Sequence, residues 1–148
     1  MNYSAWFLFL HIVGVILYVG GDIILNMLAL KSYKEQDVNG FLKVVKWISP
    51  VVGIGAILTL PSGIGLVLQS NVWSFSMLWI LSGLFMVIIA GISESIYFSQ
   101  QVRKIQSILT EQVSDDNEVT TRMKHIIRIA FIINLLFLIV IWLMVFKP

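Results

Sequence analysis

The sequence predicts an all-α, polytopic membrane protein, a single domain built as a four-transmembrane-helix bundle. Three observations predict it. Of 148 residues, 58% are hydrophobic and only 12% charged, against about a quarter charged in an ordinary soluble domain. The mean hydropathy is +0.91. The charges gather in two stretches and leave apolar blocks between them, and a block of roughly 20 such residues crosses a bilayer as a helix. Alternating ten-residue segments of the outer-membrane barrel type do not occur. Backbone in lipid must find its hydrogen-bond partners within the segment, so the blocks read as helices.

The first segment runs over residues 4–30. It has no basic start and its apolar stretch outruns a signal-peptide core, so it is expected to be a retained helix. The loop after it contains "QDVNGFLKVVKWISP", in which Asn39-Gly40 signals a turn. Phe41, Val44, Val45 and Ile48 then fall at helical spacing, with Lys43 and Lys46 opposite. That pattern predicts a short amphipathic helix lying on the inner membrane surface and turning near Pro50. The second segment covers 49–68. Its Gly53, Gly55, Ala56, Gly63 and Gly65 suit close helix contact, and Pro61 predicts a kink. The third segment covers 74–98 and is expected to continue past the membrane on an apolar stripe of Val102, Ile105, Ile108 and Leu109. "SDDNE", Ser114 to Glu118, then supplies capping residues and first-turn acids to a helix leading into the fourth segment, 126–146. A projecting hairpin of the third and fourth helices follows.

Net charge is +2, too small to imply a nucleic-acid partner, but its distribution is informative. Lys31, Lys34, Lys43 and Lys46 follow the first segment; Arg103, Lys104, Arg122 and Lys124 follow the third. The positive-inside rule puts both stretches in the cytoplasm and both termini outside a bacterial cytoplasmic membrane, as a multi-pass protein. The lipid bilayer is the expected partner, with a homo-oligomer or larger membrane complex compatible with the small-residue faces. There is no cysteine, which excludes disulfides, thiolate metal sites and cysteine catalysis. "GIGAILTLPSGIG" is glycine-rich but lies inside a membrane segment without a following lysine, so it is no phosphate loop. No nucleophile with a base and an orienting group is apparent, and cofactor-free enzyme chemistry is not expected.

Ionisable groups inside a membrane are expensive and are candidates for function. Here they are His11, Asp22, Glu94 and Arg128, with Asn26 and Asn134 as neutral company. At 100° per residue, His11 and Asp22 fall about 20° from eclipsed, with Gly14, Tyr18 and Asn26 near the same line. At 1.5 Å per residue they are roughly 16 Å apart in depth. Two layers result. The inner one gathers Asp22, Asn26, Glu94 and Arg128, either as an ion-pair network in which Arg128 bridges both acids or as a proton path or substrate site. The outer one centres on His11, a hydrogen-bonded interior histidine or a metal or haem ligand. His125 lies about a membrane thickness away, so two histidines cannot share one ligand. Met77 and Met144 lie at depths comparable to His11, and either, paired with it, would suit haem iron or Cu(I).

Leu10-His11, Gly14, Tyr18 and Gly20-Gly21 in "FLHIVGVILYVGGDIILNMLALKS" resemble the opening-helix pattern of the CopD-like superfamily of small bacterial membrane proteins. That superfamily includes copper-resistance protein D and the HemJ-type protoporphyrinogen oxidases, and a third group of roughly this length matches the four-helix layout best. The resemblance implies a haem- or copper-associated role (electron transfer, haem handling or metal passage) with His11 as ligand and haem b or copper as cofactor. Tyr18 stands where tryptophan is typical, and Asp22 where HemJ-type enzymes carry basic residues, so the resemblance speaks for kinship rather than oxidase activity. Two other readings stand beside it: a small proton-coupled transporter using Asp22, Glu94 and Arg128, and a non-catalytic membrane scaffold or accessory subunit.

Overall fold

A computed structural model describes residues 3–110 and 116–146; the side chains of Tyr3, Glu94, Ser95 and Asp116 lie outside the described residues. The described chain is helical, without strands, and contains four helices long and apolar enough to cross a membrane. The first is built from α1 (Tyr3–Val15), a π-helical turn (Ile16–Gly20) and α2 (Gly21–Lys34). The second is α3 (Val38–Leu68). The third joins α4 (Leu78–Ile92), a second π-helical stretch (Ser93–Phe98) and α5 (Ser99–Thr110), and the fourth is α6 (Asp116–Phe146).

The helices outrun the membrane. At 31 residues, α3 and α6 each reach about 46 Å, against a hydrocarbon core about 30 Å thick. Trp47, 75% exposed on α3, stands 21 residues before the helix end at Leu68, a rise of about 32 Å. Exposed Trp6 and Trp142 lie towards the opposite end, so tryptophans mark both head-group levels. Below Trp47 all four helices continue as a short water-side bundle with its own core, in which Phe41 and Ile105 are fully buried and Val119 and Met123 nearly so. The projection thus involves four helices where the sequence pattern predicts two.

No separate surface helix forms between the first two spans. A three-residue turn, Glu35 to Asp37, separates α2 from α3; Gln36 there has φ 54°, and the Asp37 carboxylate caps α3 by accepting from the Gly40 N–H at 2.8 Å. Such a turn returns the chain at once, so the stripe headed by Phe41 faces the bundle rather than the membrane surface. Phe41 and Val45 pack with Leu25 and Ala29 of α2. α3 then runs unbroken through Pro50 and Pro61.

Glycines set the spacing between the first two spans. A Cβ on Gly14 would come within 2.7 Å of the Thr59 nitrogen, and one on Gly55 would collide with the backbone of Tyr18. Of the glycines expected to serve contact, Gly55, Gly63 and Gly65 all face the first span closely, whereas Gly53 faces open space. The expected caps Ser114 and Asp115 lie outside the described residues. Further along α6, Arg122 pairs with Glu118 and donates to Gln101 Oε1 at 2.8 Å, tying α5 to α6.

Candidate functional site

Pro61 has no N–H, so the Ile57 carbonyl four residues before it loses its helical donor. Side-chain hydroxyls bond the neighbouring carbonyls. The Ser62 hydroxyl donates to the Leu58 carbonyl and reaches Thr59 O at 3.2 Å, while the Thr59 hydroxyl donates to Gly55 O at 2.8 Å. His11 of α1 joins this turn: its Nδ1 lies 3.0 Å from the Thr59 carbonyl oxygen. A carbonyl can only accept, so Nδ1 carries the proton, and in the neutral ring Nε2 holds the lone pair. Nε2 makes no hydrogen bond among the described residues. Gly63 makes room for the ring, since a Cβ there would sit 2.9 Å from His11 Cε1.

His11 and Thr59 line a cavity of about 320 Å³ in the half of the bundle remote from the basic loops. Its walls are otherwise almost wholly apolar: Tyr18, Val87, Phe137 and Val140 deeper in, Trp73 and Trp79 toward the head-group level. Met144 lines the cavity and Met77 does not. Met77 instead caps the start of α4 at the membrane edge, and its carbonyl accepts from Ile80 and Leu81. Met144 Sδ therefore remains as a second soft donor; its methyl fills the space a Cβ would take on Gly83. Tyr18, which carries part of the family resemblance and with it a place near the implied cofactor, is in the wall with its ring edge-on to Phe137 at 5.0 Å.

The inner layer differs from expectation. Asp22 is fully buried, and neither carboxylate oxygen has a hydrogen-bond partner. Arg128 is exposed on α6 and makes no ion pair among the described residues, so it does not bridge Asp22. The physical reason is depth. Tyr18 packs on Phe137 and Asp22 lies one turn below it, level with Asn134, so the antiparallel register puts Arg128 six residues further down α6, about 9 Å from the Asp22 layer, where its side chain reaches head groups more cheaply than the core. The Glu94 side chain lies outside the described residues, so the expected Glu94 contact does as well. Asn26 is buried one turn beyond Asp22 and lines a small void of about 20 Å³ with Ser49, Val102 and Ala130.

Nor do His11 and Asp22 share one stripe. The π-helical turn between them adds about one residue to the winding, which moves them from near eclipse to roughly 80° apart. His11 points at α3. Asp22 shares a face with Leu25, Asn26 and Ala29, which meets α3, α5 and α6. Sequence reasoning missed this turn, for which "ILYVG" offers no distinctive composition, and left the partner of the interior His11 unnamed, which is the Thr59 carbonyl. Gly63, which leaves room for the ring, was the available signal.

His125, at the far end of the bundle, lines a separate polar groove with Gln101, Glu118 and Arg122. Among the described residues no three His, Cys, Asp or Glu side chains converge as a metal cluster would require. No curated protein and no solved structure matches the chain. The family model of the predicted integral membrane proteins DUF2269 matches residues 6–148, and the chain belongs to that family.

Proposed function

We propose that this membrane protein binds haem b in the apolar cavity, with His11 as its ligand, and serves electron transfer or haem handling. The observation that carries the reading is the Nδ1 hydrogen bond to the Thr59 carbonyl. It fixes the ring and leaves Nε2 as the ligating nitrogen, the arrangement by which a backbone carbonyl orients a metal-binding histidine. The donor set fits haem better than copper. Haem iron takes one or two axial protein ligands, and the cavity offers His11 with Met144. A Cu(I) site restricted to that imidazole and thioether is the sparser alternative. Bound haem would supply a reversible one-electron change; the chain would supply the His11 imidazole nitrogen, the Met144 thioether and apolar walls. The resemblance of the Leu10-His11 to Gly20-Gly21 stretch to the CopD-like superfamily supports the same class of cofactor.

The absorption spectrum of the freshly purified protein tests this. A Soret band is expected in the wild type, or after haemin addition, and is lost in His11→Ala. Met144→Leu should keep the band and lower the midpoint potential, while Met77→Leu behaves as wild type. A wild type that neither carries haem nor gains it from added haemin overturns the reading.

A further inference from the structure

Asp22 is the one fully buried carboxyl side chain among the described residues, and the cavity chemistry at His11 makes no use of it. Both its oxygens accept and neither is satisfied. Asn134 Oδ1 on α6 is likewise buried without a partner. The two fall in one layer. Tyr18 packs on Phe137 above, and Asn26 shares a void with Ala130 below; Asp22 and Asn134 sit between these two rungs of the antiparallel pair. Unsatisfied acceptors facing hydrocarbon call for a donor or a positive charge.

A metal ion is poorly served there. Hard cations take six or more oxygens, and even with the Tyr18 hydroxyl counted beside the Asp22 and Asn134 oxygens only four are buried here. A proton needs only one. A void lies one turn beneath Asp22: about 20 Å³ and lined by Asn26 and Ser49, it is the size of a single water with polar partners. Above Asp22, Tyr18 and Val19 form the floor of the large cavity. The π-helical turn Ile16–Gly20 ends immediately before Gly21-Asp22, and such turns recur at functional sites.

We propose that Asp22 is a proton-exchanging carboxyl within the membrane, reached from the basic end of the bundle past Asn26 and Ser49, with Asn134 as its hydrogen-bond partner when protonated. The other groups around it are few. α4 and the membrane part of α3 carry no charged residue. Lys43, Lys46, His125 and Arg128 are exposed toward the basic end, and Tyr18 is one turn away on its own helix. Glu94, on the second π-helical stretch, is the remaining intramembrane acid. The inference stands apart from the haem reading and holds whether or not His11 binds a cofactor.

Infrared difference spectra between about pH 5 and pH 9, a range that brackets buried carboxyl titrations, test it in lipid nanodiscs. Glu94→Gln is the working background, so that the second acid contributes nothing. A carboxylic C=O band that titrates across this range and shifts on D₂O exchange is expected. It should vanish in Asp22→Asn, and Asn134→Leu should move its frequency and midpoint while circular dichroism shows the fold retained. Superimposable spectra with and without Asp22→Asn overturn the proposal, as does a carboxyl band that ignores both pH and D₂O. Loss of haem in His11→Ala, by contrast, leaves this band in place.

Discussion

His11, Thr59 and Gly63 act as one device. The glycine opens space beside α3, and the imidazole enters that space to donate to the Thr59 carbonyl. A side chain at residue 63 should therefore undo the site without undoing the helix pair. Gly63→Leu is expected to displace the ring and abolish any ligand bound at His11, read as loss of the haem spectrum, while Gly53→Leu, which faces open space, leaves it intact. A Gly63→Leu protein that still binds as tightly as wild type would separate ligand binding from His11. At this scale the sequence was partly legible. His11 and Asp22 were readable as interior because lipid penalises them anywhere else. The bridge from Arg128 to the acids, one of two readings of the inner layer, rested on charge balance and on a long side chain reaching inward from near the surface. Asp22 has no such partner and Arg128 is exposed, as the register between α2 and α6 explains.

The elements were legible where apolar length decides them and illegible where packing does. All four spans were readable from hydropathy; their continuation beyond the bilayer was not, since "YKEQDVNGF" reads equally as loop or helix. What extends them is the core they form together, with Phe41, Ile105 and Met123 meeting on the basic side of Trp47. This part of the bundle sits outside the hydrocarbon, where the hydrophobic effect acts in full. Phe41→Ala should then cost about 3–5 kcal/mol, as for other buried phenylalanines, measured as a lowered midpoint of unfolding in detergent. Substituting Trp47, which is exposed rather than part of this core, should change that midpoint little. Close approach within the spans makes a different demand. Gly55→Val forces α3 away from the Tyr18 backbone and should destabilise by about 1–3 kcal/mol, the usual cost of overpacking, because neither backbone can yield alone.

For the whole molecule, the asymmetry of the bundle ties fold to topology. One end carries both basic stretches, the water-side core and the polar groove of His125; the other carries the cavity of His11 under a belt of tryptophans. Positive charge near spanning helices resists translocation, so the basic end should face the cytoplasm, the His11 cavity should open near the outer surface and Asp22 should exchange protons with the cell interior. The chain has no cysteine, so single cysteines report this without background. Val72→Cys, in the exposed turn between α3 and α4, should react with a membrane-impermeant maleimide in intact cells. Ser107→Cys, exposed on α5, should react only after the membrane is opened. The opposite pattern would turn the molecule over, placing the His11 cavity toward the cytoplasm and the access to Asp22 outside. Labelling of both residues in intact cells would point to a mixed orientation, for which the loop charges carry no explanation. The expected pattern follows from eight lysines and arginines gathered at one end, and exchanging Lys31, Lys34, Lys43 and Lys46 for glutamine should weaken it first in the helix pair that carries them.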